Sequence, residues 1–345
     1  MRSQRSSFSP AFSILRLGLL ALGLCLGAAS AHADPVKLRL GTLAPKNSLY
    51  HRVLLEMGDA WKKAQGDGSG ITIFTDGAQG GETDTVKRMR IGQLNGGLLS
   101  VVGLREIEPS VSALQTMPLM FRNWDEVDYV REKMRPSIEK KFYDKGYVVL
   151  SWGDAGWVRF FSREAATHPA DFKAMKMFTW AGEPEQMEIM KALGYQPVSL
   201  ETSDILPALQ TGLIDVVPAT PYYALAAQFN GPAPHMLDLD WAPIVGALVV
   251  TRKAWDAMSP AGQNTLREAA ASAGDKMRAN ARIEVDEAVA AMIKRGLKVT
   301  PLTPELEAEW RRFAAGIYPQ IRGKLVPADT FDEVSRFLAE YRSRK

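Results

Sequence analysis

Residues 36–61, VKLRLGTLAPKNSLYHRVLLEMGDAW, are the stretch that decides the fold. Val36-Lys37-Leu38-Arg39-Leu40 alternates apolar and polar side chains, the period of a strand. Ala44-Pro45-Lys46-Asn47-Ser48 is turn chemistry. Leu49, Val53, Met57 and Trp61 then fall near helical spacing. The same rhythm repeats downstream. Ile71 to Phe74 reads as a strand, Gly77 to Gly81 as a loop, Glu82 to Ile91 as a helix and Leu98 to Val102 as a buried strand. The alternation predicts an α/β architecture with a mostly parallel sheet. In such sheets ligands bind outside the carboxyl ends of the strands.

Towards the C-terminus a second unit of the same kind starts near Gly156. Val158 to Ser162, Lys176 to Thr179 and Val216-Val217 read as strands. A helix over Pro184–Leu193 is marked at its start by Glu183 and Pro184 and at its end by Gly194. Ser203 to Gly212 reads as a short helix. Ile244 to Thr251 is an apolar strand expected to return to the first sheet. From Pro260 to Arg295 a helical pattern runs until Gly296. At ~1.5 Å per residue it approaches 50 Å, long enough to run along two domains. Helices near Pro304–Tyr318 and Phe331–Ser343 finish the chain, and no internal repeat is found. The expected division is a first lobe of 34–155 plus about 244–283. The second lobe is about 156–243 plus 284–345.

The N-terminus reads as an export signal over residues 1–33. Arg2, Arg5 and Arg16 form a basic start, Leu17 to Ala29 is an apolar run, and Ala31-His32-Ala33 is a small-x-small cleavage site. The run is short for a membrane span. Cys25, the single cysteine, lies in this segment after Leu24, which is too large for a lipoprotein site. Cleavage after Ala33 therefore leaves no thiol and no disulfide. The signal carries three arginines and no acid, so the formal charge falls from +3 to 0. A neutral mature chain gives no case for nucleic acid as a partner. With 345 residues, 46% hydrophobic and 23% charged, the chain can build two cores and is not globally disordered.

Chemistry-bearing motifs are missing. Gly77-Ala78-Gln79-Gly80-Gly81 follows a strand, but its spacing fits neither nucleotide fingerprint, and a flexible turn is the better reading. His51, His168 and His235 have no ligand spacing. Asp238 and Asp240 flank Leu239 and read as solvated loop carboxylates before they read as a metal site. No zinc-protease or nucleophile-elbow pattern occurs. The expectation is no enzyme, no metal and no cofactor.

Six stretches, in order, resemble the substrate-binding proteins of tripartite ATP-independent periplasmic (TRAP) transporters. They are Leu43–Ser48, Arg88–Leu94, Thr116–Phe121, Asp171–Lys176 (DFKAMK), Leu193–Val198 and Ala208–Asp215 (ALQTGLID). The resemblance spans the whole mature chain. It implies two α/β lobes joined by crossing strands, with a long helix across both. It further implies periplasmic capture of a small molecule by hinge closure and delivery to membrane transporter subunits driven by an ion gradient. The expected state is a monomer.

The chain departs from the family where ligand is held. The family clamps a carboxylate with an arginine just after the stretch that here is DFKAMK. Arginine suits this because its planar fork makes two parallel hydrogen bonds. Phe178 stands in that place. A second arginine position falls on Val158. Its neighbour Arg159 faces the other way unless the match slips by one residue. The family's ligand-binding asparagine is replaced by Ala219 or Thr220, and in Leu98–Val102 only Ser100 is polar. Trp157, Trp180, Tyr222 and Trp241 lie nearby in sequence. Trp157 and Trp241 read as core before ligand contact, Phe178 as pocket, and Trp180 and Tyr222 stand evenly between the two. A buried carboxylate without a charged partner is costly. The expected ligand is thus neutral or largely apolar. Two alternatives stay open: a carrier of a lipid-like ligand serving an exporter or trafficking system, and an organic-acid receptor using a displaced cation.

Overall fold

Ser48 sets the entry of the first helix: its hydroxyl accepts a hydrogen bond from the His51 N–H, satisfying a donor the helix leaves unpaired. In a computed structural model, which describes residues 35–344, β1 (Lys37–Thr42) leads through this cap into α1 (Leu49–Gln65). β2 (Gly70–Phe74), α2 (Glu82–Arg90) and β3 (Gly96–Ser100) follow. β1 pairs in parallel with both β2 and β3. The strand expected over Leu98–Val102 ends at Ser100, whose hydroxyl caps the short α3 (Val101–Leu104) by accepting from the Val102 N–H. The expected signal segment and Cys25 lie outside the described residues.

Among the elements passed over in the sequence, two are long. α4 (Trp124–Asp144), capped by Asn123, carries Pro136 inside it. β4 (Tyr147–Trp157) follows it and continues past the point where the second unit was expected to begin. β4 pairs with β10 (Pro243–Thr251), which lies antiparallel between β3 and β4. The returning strand thus closes a five-stranded sheet of order β2-β1-β3-β10-β4.

The second sheet is six-stranded, order β11-β9-β5-β8-β6-β7. Its strands are β5 (Arg159–Ser162), β6 (Lys176–Trp180), β7 (Gln196–Leu200), β8 (Val216–Ala219), β9 (His235–Leu237) and β11 (Lys298–Thr300). α5 (Pro184–Ala192), α6 (Ile205–Thr211) and α7 (Pro221–Ala226) connect them. Gly212 stops α6 at φ 72°, a left-handed conformation that costs glycine nothing.

After β10, α8 (Arg252–Asp256) leads to α9 (Pro260–Ile293), a 34-residue helix. α9 packs on α1, β4 and α7, so it runs along both lobes. Gly274 permits the approach: a Cβ there would stand 2.6 Å from the Trp152 carbonyl oxygen. α10 (Pro304–Ile321) and α11 (Ala328–Arg342) end the chain. α10 bridges the lobes, with Trp310 packed among second-lobe residues and Ile317 among first-lobe ones. The assignment of 284–345 to the second lobe is corrected for α11. Its Val334, Phe337 and Leu338 pack with Val127 and Val130 of α4, and Arg342 pairs with the buried Glu126 at 2.8 Å. Among the described residues no helix is long and apolar enough to cross a membrane.

Candidate functional site

The carboxyl ends of β1, β3, β6 and β8 converge, and there a cavity of about 480 Å³ opens between the sheets. That is within the ~300–1,000 Å³ of small-molecule sites. Thr42, Leu98 and Ser100 line it from the first lobe, and Phe178, Trp180, Ala219 and Thr220 from the second. The crossing strands supply Asp154, Ala155, Ile244 and Gly246, and the junction after β4 supplies Val158.

The structure brings together Ser100, Val158, Phe178, Trp180, Ala219, Thr220, Tyr222 and Trp241 on this one wall. The Phe178 and Trp180 rings meet edge to face at 4.9 Å, and Phe178 also belongs to the second-lobe core. The Thr220 hydroxyl caps α7 by accepting from the Tyr223 N–H. Tyr222 lies 6.0 Å from the ring of Tyr50 across the lobes. Trp241 serves two ends: it faces the cavity and packs against Phe160, Trp310 and Phe313.

Two of the candidate residues, Trp157 and Arg159, are not among those lining the cavity. Trp157 is buried in the first-lobe core, its ring 5.1 Å from Trp124 of α4. Arg159 is held by two acids, Nη1 ion-paired with Asp238 at 2.6 Å and Nε donating to Asp240 at 3.2 Å. A one-residue slip that would deliver Arg159 to the cavity is therefore overturned. Asp238 and Asp240 keep 41% and 46% of their side-chain surface exposed while both pair with Arg159. Burial raises the Asp240 pKa despite the guanidinium beside it. Among the described residues no group of three or more His, Cys, Asp or Glu could hold a metal ion.

The sequence reading missed the two carboxylates that shape the site electrostatically. Glu82 opens α2. Its carboxylate accepts from the Ser100 N–H at 2.8 Å, the Ser100 hydroxyl at 2.7 Å and the Gly103 N–H at 2.8 Å. Burial still raises its pKa, outweighing those three bonds. Glu183 stands at the N-cap position of α5 without a side-chain capping bond, 3.6 Å from Nη1 of Arg105 in the other lobe. Burial pushes it up to about 7, with repulsion from Glu82 and Glu185 adding to the rise and Arg105 opposing it. Burial likewise pushes Tyr223 up to about 12, with Asp76 contributing. A signal for both glutamates existed: each stands at a helix start just after the carboxyl end of a strand, where α/β sheets place ligands.

The wall is therefore acidic. Glu82, Asp84, Glu183 and Glu201 line it together with Asp154, whose own carboxylate is ion-paired to Arg131, and Lys87 is the sole lysine or arginine among the lining residues. Lys87 is itself 3.1 Å from Asp84. Such a surface can bury apolar groups, accept hydrogen bonds and, while Glu183 is protonated, donate one. It offers no two-pronged cation to a carboxylate.

Comparison with known proteins agrees with this geometry in its fold. A solute-binding protein of Roseobacter denitrificans is 23% identical over 252 residues, covering 72% of this chain and 76% of that protein. The C4-dicarboxylate-binding periplasmic protein DctP of Rhodobacter capsulatus is 24% identical over 226 residues, 65% of this chain and 67% of its own. The crystal structure of a TRAP periplasmic solute-binding protein from Ralstonia eutropha, with bound (S)-2-acetolactate, superposes with a TM-score of 0.80 at 20% identity. It covers 88% of this chain and 99% of that one. The sequence profile of bacterial extracellular solute-binding protein family 7 matches residues 40–324, and the chain belongs to that family, the substrate-binding proteins of TRAP transporters.

Proposed function

We propose that this protein captures a small, neutral or largely apolar ligand in the periplasm by lobe closure and delivers it to TRAP-type membrane subunits. The observation that carries this is the composition of the cavity wall. Phe178, which the resemblance sets where an arginine is expected, lines the cavity, Arg159 is committed to Asp238 and Asp240, and the lining carboxylates outnumber Lys87. A carboxylate ligand would lose its hydration, gain no bidentate partner and face Glu82 and Glu183. An apolar ligand gains roughly 25 cal/mol per Å² buried. Ser100, Val158, Phe178, Trp180, Ala219, Thr220, Tyr222 and Trp241 are the proposed contacts.

Native mass spectrometry of the mature protein from its own periplasm, with extraction of the bound compound, tests the reading. A neutral adduct is expected, and a stoichiometric organic acid overturns it. The same spectrum would show the mature N-terminus, expected after Ala33, and a monomeric mass.

A second reading, an organic-acid receptor, is favoured by one atom. Nη1 of Arg105 is buried and makes no hydrogen bond, although Glu183 lies 3.6 Å away. The Ralstonia protein binds an acid. On this reading Arg105→Gln abolishes binding of the extracted acid in calorimetry. On the first reading it weakens the neutral ligand about five-fold or less, the scale of a partly exposed ion pair.

A further inference from the structure

The cavity does not stop at the cleft. Its lining extends to α5 and α10, where Ile189, Met190, Leu193, Phe313, Ile317 and Ile321 give it an apolar part, the branch. We propose that this branch is a tail site, taking the aliphatic chain of an amphiphilic ligand whose neutral polar end stays in the cleft by Ser100 and Thr220. The proposal rests on the neutral-ligand reading and adds the shape of the ligand to it.

Three observations converge. First, the six walls are all apolar. The polar atoms of the aromatic residues that also line it are turned away and satisfied: the Tyr195 hydroxyl donates to the Pro169 carbonyl at 2.9 Å, and Trp310 Nε1 donates to the Thr167 carbonyl at 2.8 Å. A polar head placed there would find no partner, whereas hydrocarbon needs none.

Second, α5 is underpacked for a helix of an α/β sheet. Ile189 is its single buried residue, and Met190 and the capping Leu193 are only half-buried. Its apolar stripe lines the cavity on one side and packs on the other, Ile189 and Leu193 against the first-lobe core and Met190 against the second-lobe one. Apolar surfaces bordering a void lose dispersion contacts on one side, and a chain threaded between α5 and α10 would restore them. Met190 suits a flexible chain, since its thioether adapts to irregular gaps.

Third, most polar groups gather at the cleft, Gln186 of α5 being the polar lining residue nearest the branch in sequence. Ser100, Thr83, Thr220 and Glu183 belong to the strand ends and helix starts of the cleft, and the Thr83 hydroxyl there is buried without a hydrogen-bond partner. One continuous cavity with a polar mouth and a dry branch fits a molecule with one polar end and one long apolar end.

The test uses two homologous series of probes, butanamide to dodecanamide and butanoate to dodecanoate, titrated calorimetrically into the ligand-stripped mature protein. Met190→Trp and Leu193→Trp fill the branch. Both positions are half-buried, and thermal unfolding of each variant checks that the fold is kept. The amides are expected to gain about four-fold in affinity per methylene, the free energy of burying a CH₂ group. That gain should flatten in both variants while butanamide binds as before. Amides that bind equally at every length overturn the tail site and leave the neutral-ligand reading standing. Carboxylates that bind with the same length dependence, where amides do not, overturn the neutral-ligand reading and support the branch. A length dependence unchanged in both tryptophan variants overturns the placement between α5 and α10.

Discussion

Glu183 shows how a single side chain ties stability to pH. Its folded-state pKa is raised to about 7 from an ordinary 4.5, because burial removes water from the carboxylate. Between those values the folded protein binds more protons at this position than the unfolded chain does. Its contribution to stability is therefore fully present below about pH 4.5, falls as pH rises, and is lost above about pH 7. The shift corresponds to about 3 kcal/mol at most. Glu183→Gln should remove this slope: the variant gains stability relative to wild type as pH rises from 5 to 8, read by denaturant unfolding across that range. A wild-type-minus-variant difference that stays flat with pH would sink the assignment. Residues of this kind are poorly legible in sequence, because a glutamate before a helix ordinarily reads as a solvated cap. Phe178 was legible, since its place is set by the neighbouring Asp171–Lys176 stretch. Arg159 was legible only in part: alternation says which way it faces, but not that Asp238 and Asp240 hold it.

At the scale of elements, α4 and the crossing strand β4 are joined by a buried ion pair. Arg131 Nη1 donates to Asp154 Oδ1 at 2.5 Å, with both side chains almost wholly inaccessible. Asp128 and Arg282 extend the network towards α9. Burial raises the Asp154 pKa, against the pull of Arg131. Removing one member of such a pair strands the other, so Arg131→Met should destabilise by ~3–5 kcal/mol in urea unfolding. The double variant with Asp154→Leu should recover most of that loss, since desolvation of both charges then disappears. No recovery would mean that the network serves shape more than charge. The sequence showed neither partner's role. α4 was unread because its apolar stripe, Val127, Val130, Met134 and Ile138, is diluted by charged residues and interrupted by Pro136. By contrast α9 was readable almost to its last residue, because a long run rich in Ala, Glu, Lys and Arg with Gly296 beyond it leaves few other conformations.

At the scale of the whole molecule, the lobes meet through Arg105, which follows α3 and reaches Glu183 at 3.6 Å and Glu185 at 3.2 Å at the start of α5. If lobe closure accompanies capture, these contacts favour the closed form. Arg105→Ala should then enlarge the radius of gyration of the ligand-free protein in X-ray scattering, with ligand restoring compaction. An unchanged profile would show that Arg105 does not bias closure. The periodicity of strands and helices determined the α/β architecture and the return of β10 to the first sheet, and the six motif stretches carried the resemblance to the family and its two lobes, because these are local patterns that survive at 20–24% identity. Tertiary structure alone decided that α11 crosses back to α4, that Arg159 is neutralised by Asp238 and Asp240, and that Glu82 and Glu183 share one cavity. These depend on contacts between residues tens to hundreds of positions apart. The charge state and exposure of a side chain are set by what folds against it, and no local pattern carries that information.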